Sequence, residues 1–353
     1  MDLIEQKARE AFEQIPFGSN GGDILSNNVV HSMNVEGTTA HLMLVIPKEQ
    51  DRLGDKIALQ IEQALLRIEG IEKVAFRYAQ SAEAADMERA SGTEPQQAHY
   101  LQEYRHVILV ASGKGGVGKS TVAVNLALAL KALKKRVSLL DADVYGPSMP
   151  VMLKARGERL TVEKDKIKPL RRLGMEFMSI GNMVDEKTAV VWRGPMVHQA
   201  IEQVLRDAAW PGGDYMIVDL PPGTGDVQIT IAQLTRAVGA IIVCTPQDVA
   251  LLDARKAMGM FEKVNISVLG LIENMSSFVC PKCGAETPIF SKGGIKKESE
   301  AKNIPFLGRI PIDMDIRLGS DSGEPVVDSH PHSAVAKSFR EMAQLLVDST
   351  EAQ

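Results

Sequence analysis

The sequence predicts an α/β protein in which a mostly parallel sheet is flanked by helices and preceded by a small α+β domain. Three observations predict it. Short apolar runs alternate with helix-forming stretches from residue 105 onward, the pattern of parallel strands buried on both faces. A glycine-rich octapeptide, Gly113-Lys114-Gly115-Gly116-Val117-Gly118-Lys119-Ser120, lies between the first apolar run and the first of these helices. Residues 80–102 turn to Ala, Glu, Ser, Gly, Pro and Gln, as an interdomain linker does. The expected division is therefore residues 1–80 for an α-β-β-α-β domain, 81–104 for the linker and 105–353 for the larger domain.

In chain order, residues 2–14 carry apolar side chains at helical spacing, and the Gly, Ser and Asn of residues 16–23 mark a loop. Residues 24–35 and 38–46 then have the character of strands. The second alternates Ala40, Leu42, Leu44 and Ile46 against Thr39, His41 and Met43, and Glu36-Gly37 fits a hairpin turn between them. A helix over residues 51–68 and a strand over 73–78 complete the small domain. In the larger domain, strands are expected at residues 107–111, 137–140, 175–180, 216–218, 240–244, 267–272 and 306–310. Residues 121–133 are rich in helix formers. Residues 334–347 place Val335, Phe339, Met342, Leu345 and Leu346 on one helical face opposite mixed charge, which suits docking on the sheet better than membrane binding.

With 353 residues and 44% hydrophobic content, the chain can build two domains with sizeable cores. A formal net charge of -5 and a pI near 5.9 argue against broad electrostatic capture of nucleic acid or of an anionic membrane, so neither is expected as a partner. The first residues lack the basic and apolar regions of a signal peptide, and no apolar run reaches membrane-spanning length; a soluble, cytoplasmic protein is expected. Three cysteines, Cys244, Cys280 and Cys283, are too few and odd in number for a disulfide framework.

The octapeptide satisfies the G-x-x-x-x-G-K-[ST] pattern in the order strand, glycine loop, helix. Gly113, Gly115, Gly116 and Gly118 let the backbone bend, so that the N–H groups from the loop through Val117 to Thr121 converge on phosphate oxygens at the positive end of the next helix. Lys119 is suited to neutralise phosphate charge and Ser120 to hold Mg2+. ATP and Mg2+ are the cofactors this implies. Asp141 and Asp143 end the second strand, where open parallel sheets bind ligands. Asp143 is placed to orient an attacking water, although either carboxylate could instead cap the next turn. Asp219 ends another apolar strand and runs into Pro221-Pro222-Gly223. It fits the Mg2+-linked acidic position of phosphate-loop enzymes, with the Gly223 amide placed to sense a terminal phosphate.

Lys114 inside the loop, Asp141-Ala142-Asp143 and Asp219-Leu220-Pro221-Pro222-Gly223 together resemble the deviant-Walker ATPases, the group that includes MinD, ParA, the nitrogenase iron protein and the Mrp (ApbC) proteins. The resemblance implies that two subunits sandwich ATP face to face and that Lys114 reaches the partner's nucleotide. Lys114, Lys119 and Asp143 would then carry hydrolysis, with Asp143 positioning the water. It also implies that Asn274 reads adenine, a role its amide suits because it pairs with a donor and an acceptor at once.

Cys280-Pro281-Lys282-Cys283 presents two soft thiolates to one centre, which suits iron-sulfur, zinc or dithiol redox chemistry. Two thiolates do not close a site. Zinc takes four ligands and a [4Fe-4S] cluster four thiolates, whereas Cys244 lies in an apolar strand and has the character of core. In a face-to-face homodimer, one Cys280/Cys283 pair from each subunit would close a single bridging site. The phrases at residues 143–150, 191–197, 219–226, 273–276, 310–313 and 320–325, together with the cysteine pair, resemble the Mrp iron-sulfur cluster carrier ATPases across residues 105–330. That resemblance implies a slow ATP-hydrolysing homodimer that holds a labile [4Fe-4S] cluster between its subunits. It would deliver the cluster to apo iron-sulfur client proteins, with cluster-assembly scaffolds as further partners. Two rivals stand beside it: a MinD- or ParA-like spatial organiser, which the acidic chain does not favour, and an ATPase whose cysteines hold a structural zinc between subunits. The amino-terminal domain resembles the small domain fused ahead of Mrp ATPases in element order, but it holds no cysteine. Trp192 and Arg193 suit either packing with a surface ion pair or a place on the dimer surface.

Overall fold

The computed structural model describes residues 3–17, 22–46, 51–79, 99–183, 194–280, 282–290 and 293–352. The chain divides into two compact units, Met1–Gln96 and Gln97–Gln353. In the first, α1 (Leu3–Phe12) is followed by β1 (Val30–Glu36), β2 (Thr39–Val45), α2 (Asp51–Leu65) and β3 (Lys73–Ala79). β1 and β2 form an antiparallel hairpin that turns at Gly37, where φ is 62°, and β3 returns parallel to β2. Parallel neighbours need a crossover, and α2 supplies it. Ala40, Leu42 and Leu44, which alternate onto one face of β2, join Ala8, Phe12, Ile57, Ile61 and Leu65 in a single core. The strand expected from residue 24 begins only at Val30. Asp23 Oδ1 accepts the N–H groups of Leu25 at 2.8 Å and Ser26 at 2.7 Å, and Asn28 takes a φ of 53°, so these backbone groups serve a turn rather than a ladder.

The second unit is built on a nine-stranded sheet. Its strands are β4 (Tyr104–Ala111), β5 (Val137–Asp141), β6 (Leu170–Arg172), β7 (Met175–Ser179), β8 (Gly213–Asp219), β9 (Gly239–Cys244), β10 (Val268–Val279), β11 (Glu286–Thr287) and β12 (Phe306–Ile312). The order is β6-β7-β5-β8-β4-β9-β10, with β11 and β12 both paired to β10. All pairings are parallel except β6–β7 and β10–β11. Because β8 separates β4 from its successor β5, the chain order switches at β4, and a crevice opens at that strand's carboxyl end.

The helices of this unit longer than one turn are α3 (Lys119–Ala132), α4 (Gly194–Asp207), α5 (Asp226–Leu234), α6 (Asp248–Lys263), α7 (Gly294–Lys302), α8 (Met314–Ser322) and α9 (Ala334–Glu351). α3 is apolar around nearly its whole circumference, and Val122, Ala123, Val124, Leu126, Ala127 and Leu128 are all buried, because it lies between the sheet and α9. Val335, Phe339, Met342 and Leu346 of α9 are buried as their spacing requires, whereas Leu345, expected on the same face, is 47% exposed. β10 continues past residue 272, its expected end, to Val279. Asn274 pairs with Ile310 and Phe278 with Ile312 of β12, while Phe278 and Val279 also pair with Thr287 and Glu286 of β11. Of the stretch expected to be linker, residues 81–98 lie outside the described residues, and its remainder is packed on the second unit: Leu101 is buried and the Tyr100 N–H donates to Leu234 O at 2.8 Å. Trp192 and Arg193 also lie outside the described residues. Among the described residues no helix is long and apolar enough to cross a membrane.

Candidate nucleotide site and cysteine hairpin

The loop after β4 enters α3 through Gly116 and Gly118, whose φ values of 76° and 79° favour glycine. Gly113 has no room for a side chain, since a Cβ there would stand 2.2 Å from Asp253 O on α6. Ser112 fixes both ends of the approach: its Oγ donates to Lys114 O at 2.9 Å, and its carbonyl accepts the Gly223 N–H at 2.9 Å. Above the loop opens a cleft of about 470 Å³, bounded by Gly115, Gly116, Lys119, Ser120, Thr121, Asp143 and Pro222, and on its other side by Ser148, Val151, Met152, Ser320 and Asp321.

Inside this cleft, Lys119 Nζ donates to Asp219 Oδ1 at 2.6 Å and lies 3.9 Å from Asp143 Oδ2. Ser120 Oγ donates to Asp219 Oδ2 at 2.5 Å. Asp141 and Asp219 are fully buried at the ends of paired strands. Burial pushes both carboxyls up; the Asp219 charge adds to the push on Asp141, and Lys119 opposes it in both. The Lys119 ammonium thus has two carboxylate partners, Asp219 in direct contact and Asp143 beside it, while Asp141 lies behind them. Ser120 and Asp219 supply the hard oxygen donors that Mg2+ takes. The two aspartates at the end of β5 serve different ends. Asp141 accepts the Asp143 N–H at 3.1 Å, the Met149 N–H at 3.4 Å and the Ser179 hydroxyl at 2.9 Å, which braces the following loop. Asp143 uses Oδ1 for the N–H groups of Tyr145 and Gly146 and turns Oδ2 toward Lys119.

Lys114 and Asn274 reach the loop's surroundings rather than the cleft. Lys114 Nζ donates to Gln247 Oε1 at 3.0 Å, at the start of α6. Asn274 Nδ2 donates to Val117 O at 2.8 Å, and a Cβ on Gly118 would fall 2.3 Å from that nitrogen. Sequence reasoning missed Gln247. Its position just past the carboxyl end of β9, a strand adjoining β4, is the signal that points to it. It also missed Ser320, whose Oγ lies 3.4 Å from Thr121 Oγ1, and Gln228, whose Nε2 donates to Pro221 O and Pro222 O at 3.0 Å each and clamps the proline loop. Ser320 opens the phrase at residues 320–325, which gave it no role, and no spacing singles out Gln228.

Cys280 and Cys283 stand at the tip of the β10–β11 hairpin. The Cys280 N–H donates to Ala285 O at 3.0 Å and the Gly284 N–H to Cys280 O at 2.8 Å, with Gly284 at a φ of 70°. The backbone N–H groups of Lys282 and Cys283, then the Cys283 thiol, hold the Cys280 thiol below its usual value. Cys280 is half-buried and Cys283 exposed, so the pair faces outward. Cys244 is buried in β9, and burial followed by the Glu273 charge pushes its thiol up to about 12, the condition of an inert core residue. Among the described residues, no three His, Cys, Asp or Glu side chains gather as a metal site would require, so one subunit offers two thiolates and no closed set.

A phosphate loop on the central strand of a parallel sheet, with acidic residues ending the flanking strands, defines a P-loop NTPase. A nucleotide-binding protein from Archaeoglobus fulgidus, solved in complex with ADP, shares the fold with a TM-score of 0.59 and 35% identity, over 68% of this chain and 94% of that one. The chain belongs to the ParA family, since the profile described as "ParA: NUBPL iron-transfer P-loop NTPase" matches residues 103–347. It is 43% identical over 325 residues to the iron-sulfur cluster carrier protein of Deinococcus radiodurans, covering 92% of this chain and 89% of that protein. To the mouse iron-sulfur cluster transfer protein NUBPL it is 50% identical over 249 residues, 70% of this chain and 78% of that one.

Proposed function

We propose that the chain is an ATP-dependent iron-sulfur cluster carrier that works as a homodimer, holding the cluster as cargo and passing it to apo proteins. One observation carries the reading: β10 bears Asn274, hydrogen-bonded to the phosphate loop at Val117 O, and runs directly into Cys280 in the hairpin turn that follows it. The tether of the phosphate loop and the first thiol therefore lie on one continuous stretch of chain. The names of the bacterial and mouse relatives, carrier and transfer proteins for iron-sulfur clusters, agree with it.

In this reading the loop amides from Gly113 to Thr121 and the Lys119 ammonium bind the phosphates of ATP, and Asn274 contacts adenine. Mg2+, held by Ser120 and Asp219, would neutralise phosphate charge. Lys119 exchanges its ion pair with Asp219 for the phosphates as nucleotide enters. Asp143, with Oδ2 already turned into the cleft, orients the attacking water, and the Gly223 amide senses the terminal phosphate. Lys114 of each copy reaches the nucleotide of the other, so hydrolysis is slow and depends on pairing. ATP biases the dimer between cluster-holding and cluster-releasing arrangements through contacts that differ between them. A Cys280/Cys283 pair from each copy completes four thiolates for a [4Fe-4S] cluster, and the N–H groups directed at the Cys280 sulfur favour its ligating, thiolate form. Such a carrier suits the cytoplasm, where thiols stay reduced and apo clients and assembly scaffolds are at hand.

Anaerobic reconstitution with iron and sulfide tests the proposal. The expected product is a brown dimer with one cluster per two chains, and Cys283→Ala is expected to lose iron and sulfide while still binding MgADP. A full cluster in that variant sinks the bridging assignment. Colourless protein carrying zinc would make the cysteines a structural staple.

A further inference from the structure

We propose that Gln247 is a positioning residue for Lys114, holding its ammonium on its own subunit until the phosphates of a nucleotide bound by a second copy draw it across. The inference rests on the reading of Lys114 as acting between subunits. Its basis is the hydrogen bond from Lys114 Nζ to Gln247 Oε1 at 3.0 Å. Gln247 occupies the N-cap position of α6, with φ -88° and ψ 140°, where a side chain ordinarily accepts an N–H of the first turn; Gln247 makes no such bond. Its amide faces the phosphate loop instead.

The loop and α6 cannot slide past one another. Gly113 is pressed against Asp253 of that helix, and Ser112 Oγ holds the Lys114 carbonyl at 2.9 Å. The fold therefore fixes both ends of the contact, and the lysine stem is the part with freedom to swing. The hold is weak for two reasons. Its acceptor is neutral, and the ammonium lies near the positive end of the α6 dipole. A polyphosphate is a charged acceptor and a far stronger one. Transfer to the partner's nucleotide is thus favourable, whereas without that nucleotide the ammonium remains extended toward Gln247.

A residue that merely packed against the loop would harm activity under any substitution. A hold gives opposite signs. Gln247→Glu strengthens it from a neutral to an ionic bond, so the protein concentration giving half-maximal ATPase rate should rise about tenfold, and added salt should reverse the shift. Gln247→Leu removes the acceptor and should lower that concentration several-fold. The experiment measures ATPase rate per chain against full-length protein concentration, at low and high salt, with MgADP binding as the check on folding. If Gln247→Leu fails to bind MgADP, Gln247→Asn, one methylene too short to reach, takes its place and should lower that concentration likewise; if Gln247→Glu fails, the fall in the Leu variant decides alone. Lys114→Ala separates the role of the lysine from that of its holder. If it leaves both rate and concentration dependence intact, the action of Lys114 between subunits is wrong and the hold has no purpose. If Lys114→Ala abolishes the concentration-dependent rate while the Gln247 variants stay within twofold of the wild-type midpoint, or shift it in the same direction, the Gln247 proposal alone is overturned.

Discussion

Gly113→Ala places a methyl group where the chain has no space for one. The added carbon would stand 2.2 Å from Asp253 O and 2.3 Å from Asp253 C, about 1 Å or more inside van der Waals contact. Neither atom can retreat alone, because Asp253 lies within α6 and its backbone is held by the helix. The loop or the helix must move as a body. Overpacking a filled site costs about 1–3 kcal/mol, and contact with a helix backbone belongs at the top of that range, about 3 kcal/mol. Gly116→Ala is the control. At a φ of 76° with nothing within 4 Å of the new carbon, its cost is left-handed strain alone, about 1–2 kcal/mol. Trp192 and Trp210, the two tryptophans, both fall in the second unit, so urea unfolding followed by tryptophan fluorescence reports on that unit. With a slope of about 3 kcal/mol per molar urea, Gly113→Ala should lower the midpoint by about 1 M and Gly116→Ala by about half that. Equal midpoints, or a larger loss at Gly116, would refute the steric reasoning.

Other substitutions test the charges. Asp219→Asn removes the carboxylate that Lys119 and Ser120 share, and steady-state assays should show ATPase falling at least about 100-fold, roughly 2.7 kcal/mol of barrier, with the circular dichroism spectrum retained. Limited iodoacetamide at neutral pH, followed by peptide mass spectrometry, should label Cys280 before Cys283 and leave buried Cys244 untouched until the chain unfolds. Arg255 grips Glu298 through Nε at 2.8 Å and Nη2 at 2.6 Å and lowers its carboxyl from the ordinary 4.5. Glu298→Gln should therefore cost about 1 kcal/mol at neutral pH. Because the folded value is the lower one, the wild-type advantage is complete above the ordinary glutamate value and disappears as pH falls through the depressed one, which denaturation series at several pH values will show.

The seven parallel strands and the phosphate loop were legible because each buried strand is a short apolar run and the loop's glycines and lysines recur at fixed spacing. Failures came where tertiary pairing or a side chain overrode local pattern. Glu273, Asn274, Ser276 and Ser277 made the far half of β10 look like a loop, yet β12 and the cysteine hairpin keep it extended. Residues 24–28 looked like strand, but the Asp23 carboxylate captured the N–H groups of Leu25 and Ser26. At the site, Lys119, Ser120 and Asp143 line one cleft and Asp219 is buried behind it, bonded to Lys119 and Ser120, whereas Gln247 lies far along the chain from Lys114 and belongs to no motif. A pairing between distant loops has no periodicity to betray it.

The irregular centre of β10 bears on how nucleotide and cysteines influence each other. Before it, Glu273 is tied to Arg309 of β12 by an ion pair at 2.9 Å, and Asn274 holds the phosphate loop. Regular pairing resumes only at Phe278. Between them Met275 takes a φ of 56°, and a Cβ on Gly118 would lie 3.8 Å from its Cε, so its side chain packs beside the phosphate loop. Past Met275, Ser276 Oγ bonds to Ile310 O and Ser277 Oγ to Glu286 of the hairpin. Were nucleotide to shift Asn274, a straight strand would carry the shift along its axis, whereas a bulge held at both ends is expected to turn it into a tilt of the hairpin. A non-glycine residue in the left-handed region costs about 1–2 kcal/mol, which Met275→Gly would relieve while giving the bulge freedom to absorb motion. Strain relief and the loss of the part-buried Met275 side chain roughly offset, so the variant should fold with stability within about 1–2 kcal/mol of wild type, should load a cluster, and should deliver it to an apo ferredoxin at the same rate with ATP as with ADP. Wild type should show different rates. If Met275→Gly keeps the full nucleotide dependence, the bulge does not transmit it, and the coupling must run through the subunit interface instead.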